Sequence, residues 1–205
     1  MARKPRPAKR ARATDPAKHA IEIAMALAAE KGWRDLTLTD IASAAKMSLA
    51  DLYALYPSKQ AILTAFVRDV DRAVLAESEP SEGTAKDRLF DVLMRRLDKL
   101  DPYKAAVKRI GEDTVRDPLA FLCSLGRVDH SMAAMLEAAG ISAGGLTGMV
   151  RAKGLSAVYL SALRAWVKDE SADKSKTMAA LDRALGRAER VAGGFRRREK
   201  RSAAA

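Results

Sequence analysis

The chain reads as all-α. Apolar residues recur at three- and four-residue spacing along nearly its whole length, and the alternation of a half-buried strand is sustained nowhere. The periodic runs also begin at Asp-Pro, Thr or Ser and end at Gly, the residues that cap helices. Asp15 before Pro16 predicts an N-cap with proline at the first helical position, and Gly32 closes that helix, whose apolar face holds Ala20, Ile21, Ala24, Met25, Leu27 and Ala28. Residues 37–46 and 48–56 predict two short helices joined by a tight turn. Ser58 caps a longer helix to about Glu79, with Ile62, Leu63, Phe66, Val67 and Val70 inward.

The run Glu79-Pro80-Ser81-Glu82-Gly83 breaks the pattern and marks a domain boundary. Beyond it Phe90, Leu93, Leu97 and Leu100 keep helical spacing, and Asp101-Pro102 and Asp117-Pro118 each start a new helix. The second of these ends at Gly140. Leu155, Val158, Tyr159, Ala162, Leu163, Trp166 and Val167 mark the next helix, and Met178, Leu181, Leu185, Ala188 and Ala192 the last. About nine helices are expected, in four segments: a basic arm (1–14), a headpiece (15–78), a helical ligand-binding and dimerisation domain (85–195) and a basic tail (196–205).

Composition excludes several function classes. Of 205 residues 48% are apolar and 31% charged, a globular balance. No run approaches the ~18 apolar residues of a membrane span, and no apolar stretch follows the basic start as in a secretory signal; a cytoplasmic protein without integral membrane association is expected. The single Cys123 cannot form an intramolecular disulfide. His19 and His130 are the only histidines, neither sits in a cluster with metal-ligand spacing, and no glycine loop suited to phosphate is present. No enzyme, metal site or cofactor is therefore expected.

Charge is uneven. The net charge is +11; residues 1–14 carry six bases and no acid, residues 196–201 five bases and one acid, and removing these +6 and +4 leaves +1 for the rest. Such ends attract polyanions. Two short helices behind a basic arm in an all-α chain outline a helix-turn-helix reader of double-stranded DNA. Thr37 and Ser48 suit the starts of the two helices, Ile41, Ala42 and Ala45 the close crossing, and Leu52 and Tyr56 anchor the second helix. Tyr53 and Lys59 offer a hydroxyl and a point charge to phosphates, and Arg3, Lys4 and Arg6 of the arm would add charge in the minor groove.

The stretch Thr37-Leu-Thr-Asp-Ile41-Ala42, then Ala45-Lys-Met-Ser48, then Leu52-Tyr53-Ala-Leu-Tyr56-Pro-Ser-Lys59 resembles the TetR-family DNA-binding domain over residues 15 to about 70. The resemblance implies a homodimeric regulator, in most cases a repressor, with an effector-binding C-terminal domain. It places Ser48, Tyr53 and Lys59 on phosphates, counts Thr37 with the DNA-facing set, and turns Leu49, Ala50, Asp51, Ala54 and Leu55 to the groove. Lys46 and Ala50 stand where the family usually has glycine, Asp51 sets a negative charge near phosphates, and Leu55 replaces a polar or aromatic residue. Residues 15–60 carry five bases and six acids, so affinity would lean on the arm.

The C-terminal half, from Leu89 to Arg109, through Asp117-Pro118-Leu119 and Met132–Ala139, to Tyr159–Asp169, is similar to a lipid-binding accessory family of ubiquinone biosynthesis with a TetR-like fold. This implies the alternative of a lipid carrier. Either way a small apolar or lipid-like effector is expected between the helices at 118–139 and 146–167, lined by Leu122, Leu125, Met132, Met135, Val150, Val158, Tyr159, Leu163 and Trp166, with no Arg or Lys on the inward stripes. Leu155, Val158, Leu181 and Leu185 are the expected dimer contacts.

Overall fold

The computed structural model describes residues 15–77 and 82–202. The arm residues Arg3, Lys4 and Arg6 lie outside them, as do residues 78–81 of the expected boundary. The described chain is helical throughout: α1 (Pro16–Lys31), α2 (Leu38–Ala44), α3 (Leu49–Leu55), α4 (Lys59–Ala76), α5 (Ala85–Leu100), a 3-10 turn (Asp101–Tyr103), α6 (Lys104–Val115), α7 (Pro118–Ala138), α8 (Gly145–Val167) and α9 (Ser175–Ser202).

Local chemistry sets most of the ends. Asp15 accepts from the Ala17 N–H at 3.0 Å and Pro16 opens α1, whose chain then turns at Gly32 with φ 87°. Thr84 and Asp87 exchange side-chain and backbone bonds at the start of α5, a capping box. At the end of α7 the Ile141 N–H reaches the Leu136 carbonyl at 2.9 Å and the Gly140 N–H that of Glu137 at 2.9 Å, with Gly140 at φ 68°. This is a Schellman ending, which needs a left-handed residue at that place.

Two boundaries differ from expectation. Helix α4 stops at Ala76 rather than near Glu79. The Asp101-Pro102 step yields only a 3-10 turn, with α6 starting at Lys104, because the Asp101 carboxylate does not cap: it accepts from the Trp166 Nε1–H at 2.9 Å and pairs with Lys174. Helix α1 packs on α6, α4 lies against α5 and α7, and α8 packs between α7 and α9. Buried residues of headpiece and body form one continuous cluster, from Ala20 and Met25 through Phe66 and Leu97 to Trp166 and Leu185. The two parts are thus joined through packed side chains.

Candidate nucleic-acid interface

Helices α2 and α3 are built to present one outer face. Thr37 accepts from the Asp40 N–H at 3.1 Å, while the Asp40 carboxylate accepts from the Thr37 N–H at 2.9 Å and its hydroxyl at 2.7 Å. These Thr37 bonds, with Lys31 nearby, hold Asp40 below the usual carboxylate range. Between the helices the Met47 N–H reaches the Ala42 carbonyl and the Lys46 N–H that of Ser43, a second Schellman ending with Lys46 at φ 55°. A turn of this geometry favours glycine, and lysine bears the steric cost here.

Ser48 then starts α3, accepting from the Asp51 N–H at 3.0 Å and donating its hydroxyl to the Asp51 carboxylate at 2.6 Å. Asp51 therefore belongs to the cap, where the positive end of the helix dipole favours a negative charge. Leu52 is fully buried and fixes α3 to the headpiece core, so Leu49, Ala50, Asp51, Tyr53, Ala54 and Leu55 are left exposed, Tyr53 at 59%. Lys59 turns inward: its ammonium donates to the Trp33 and Arg34 carbonyls at 2.8 and 3.0 Å and lies 5.8 Å from the centre of the Trp33 ring. Thr37, counted with the DNA-facing set, and Ser48 and Lys59, expected at phosphates, thus each hold the headpiece together. Lys59 spends two of its ammonium protons on these carbonyls, and burial, the main influence on it, pushes its pKa down. Exposed Arg34 and Lys46 remain as cations beside the two short helices.

Residues 20–66 match the model of the bacterial regulatory proteins of the tetR family, and residues 150–192 match that of COQ9. A TetR transcriptional regulator from Nitrosomonas europaea ATCC 19718 superposes with TM-score 0.69 at 23% identity, over 85% of this chain and 99% of that one. One from Rhodococcus sp. RHA1 gives 0.62 at 21%, over 84% and 94%. The fold is that of TetR regulators. FadR of Thermus thermophilus, a TetR-family repressor in complex with lauroyl-CoA, gives 0.52 at 20%, over 84% and 92%. Among curated proteins no sequence matches this one.

Within this TetR-type fold the expected effector cavity is filled. Met132, Met135 and Trp166 have no surface that a water molecule could touch, so they border no void, enclosed or open. Tyr159 and Val158 are also buried and Leu125 and Leu163 partly so, whereas Leu122 and Val150 lie on the outside, 67% and 68% exposed. Two cations from α5 and α6 also reach the inward stripes, which the stripes' own sequences could not disclose. Arg96 donates to the Tyr159 hydroxyl, with its guanidinium carbon 4.7 Å from the ring centre, and donates through Nε to Asp71 at 3.0 Å. Ser131 adds its hydroxyl to the same Asp71 oxygen at 2.7 Å. Burial pushes the Tyr159 phenol above its ordinary range, with Arg96 opposing. Lys104 lies 5.3 Å over the Trp166 ring.

The dimer residues need a similar correction. Leu155, Val158, Leu181 and Leu185 are buried within the chain itself, between α8 and its neighbours. The sequence reading missed the Asp71–Arg96 pair altogether. Its signal was a charge on each apolar stripe: Asp71 three residues before Val74, and Arg96 between Leu93 and Leu100.

Proposed function

We propose that the chain is a homodimeric DNA-binding transcription regulator, a repressor, in which the outer face of α3 enters the major groove of double-stranded DNA. The observation that carries the reading is the exposed face of a firmly anchored α3, within the span that matches the tetR-family model. The residue types suit that role in part. Tyr53 can donate to a phosphate, Leu49, Ala50 and Leu55 can meet thymine methyl groups, and Arg3, Lys4 and Arg6 would supply the counter-charge that residues 15–60 lack. The dimer would form through the outer faces of α8 and α9. A small effector with an apolar part would set DNA affinity by preferring one headpiece placement, and the lauroyl-CoA of the Thermus FadR structure supports an effector of that kind. No bond-making chemistry is needed, and cytoplasmic location follows from the role.

The test is fluorescence anisotropy of the full chain with the duplex upstream of its own gene and with random duplex at about 150 mM salt. The expected result is a preference of at least about 10³ for its own region, lost steeply when residues 2–12 are removed. Equal affinity for both duplexes would favour the second reading, a lipid-binding accessory protein of ubiquinone biosynthesis, which rests on the COQ9 match at residues 150–192.

A further inference from the structure

Between headpiece and body lies a cavity of about 150 Å³. Trp33 borders it from the turn after α1, Lys59 and Leu63 from α4, Asp113 from α6 and Arg127 from α7. A cavity of this size in another protein accommodates a benzene ring. Here the walls are not purely apolar, and their donors outnumber their acceptors. Arg127 is half-buried, and among the described residues its guanidinium has neither a hydrogen bond nor an ion pair. Lys59 uses two of its protons on the Trp33 and Arg34 carbonyls and keeps a third.

The two carboxylates at the wall are already engaged. Asp113 accepts from the Trp33 and Arg34 N–H groups at 2.7 and 3.0 Å, and Asp117 from the Leu119 N–H at 3.0 Å where α7 begins. With Arg34, Lys59 and Arg127 against these two acids, the lining carries one excess positive charge. Desolvation is the main influence on both Lys59 and Arg127 and lowers the pKa of each, the direction taken by a buried cation short of counter-charge.

We propose that this cavity binds a small organic monocarboxylate, its oxygens received by Arg127 and the remaining proton of Lys59 and its compact apolar body set against Leu63 and the edge of Trp33. One excess charge suits a monoanion, and the apolar wall favours an organic acid over an inorganic ion. Because headpiece and body each supply walls, an occupant holds one placement of the two and changes DNA affinity by its preference for that placement. This last consequence rests on the regulator reading; the binding site does not.

Calorimetric titration of the full chain with sodium benzoate, and separately with inorganic phosphate, tests the site without DNA. Benzoate should bind once per chain at ~1 mM or tighter and phosphate at least about tenfold more weakly. Arg127→Gln should weaken benzoate by about tenfold or more, the loss expected for a charge-assisted bond, with an unchanged melting temperature because Arg127 has no partner to lose. Arg127→Lys, which keeps the charge and loses the planar fork of donors, should weaken it less than Arg127→Gln. No binding of benzoate at ~10 mM, equal binding by the wild type and a folded Arg127→Gln, or phosphate binding tighter than benzoate would each overturn the proposal. Failure to bind DNA with benzoate binding intact would sink the regulator reading alone.

Discussion

Headpiece and body use the same device, a carboxylate receiving several donors, at very different reach. Asp40 and Asp51 accept from Thr37 and Ser48, three residues earlier in the chain. Asp101 and Asp113 accept from Trp166 and Trp33, 65 and 80 positions away, and Asp71 accepts from Arg96 and Ser131 across three helices. The ends of α2 and α3 are therefore set by short-range pairs that leave one face of α3 free, whereas polar groups brought together from distant segments hold the body and tie the headpiece to it. A change in the headpiece caps should shift local helix stability, and a change in the body's buried pairs should act on the whole fold.

The largest expected effect breaks a long-range pair. Arg96→Ala leaves Asp71 buried with Ser131 as its remaining partner, and should cost about 3–5 kcal/mol in urea unfolding, as removal of one member of a buried ion pair does. A double replacement by apolar residues of similar volume, Asp71→Leu with Arg96→Met, should recover most of that loss. Recovery of nothing would mean that the polar contacts to Tyr159 and Ser131 matter more than the charge balance.

Next comes the contrast within α3. Leu52 has no exposed surface, so Leu52→Ala should cost about 3 kcal/mol. Leu55→Ala, on the open side, should stay within about 0.5 kcal/mol of the wild type while altering which duplexes are bound. Comparable losses for both would mean that α3 has no free face.

Asp113 ties the two regions together through the N–H groups of Trp33 and Arg34, and those bonds hold its pKa below the ordinary carboxylate value. A lowered folded pKa contributes stability that is complete above the unfolded value of about 4 and is lost as pH falls through the folded value. Asp113→Asn should accordingly be less stable than the wild type at pH 7 and equal to it once pH is well below 4, as read by thermal melts across pH. A deficit independent of pH would assign the tether to shape alone.

Smaller effects fall on the short-range devices. Ser48→Ala should cost about 1 kcal/mol by loss of the α3 cap. Lys46→Gly relieves the left-handed strain at φ 55° and gives back part of it as chain entropy, for a net gain of a few tenths of a kcal/mol. Calorimetric melting resolves both.

The same difference in reach explains what could be read in the sequence. Asp15-Pro16, Thr37, Ser48, Ser58 and the glycines at 32 and 140 announce their helix ends because donor and acceptor lie within one turn, and Leu52 on a short apolar stripe announces the buried side of α3. Lys59 misled for the opposite reason: its partners, the carbonyls of Trp33 and Arg34, are 26 and 25 positions earlier, and no spacing rule brings them together. Met132, Met135 and Trp166 sit on the expected stripes, yet whether a stripe lines a cavity or closes it depends on neighbours such as Asp101 and Lys104. The four buried residues expected at a dimer contact show the same limit, since periodicity marks an apolar face without saying which chain covers it.

The most direct test concerns the free face of α3. Leu55→Glu places a carboxylate where the groove would lie, at a position 41% exposed in the isolated chain. Fluorescence anisotropy with the duplex upstream of the protein's own gene, at about 150 mM salt, should show affinity falling by at least about 100-fold with an unchanged melting temperature. An unchanged affinity in the folded variant would contradict the assignment of α3 as the helix that reads DNA.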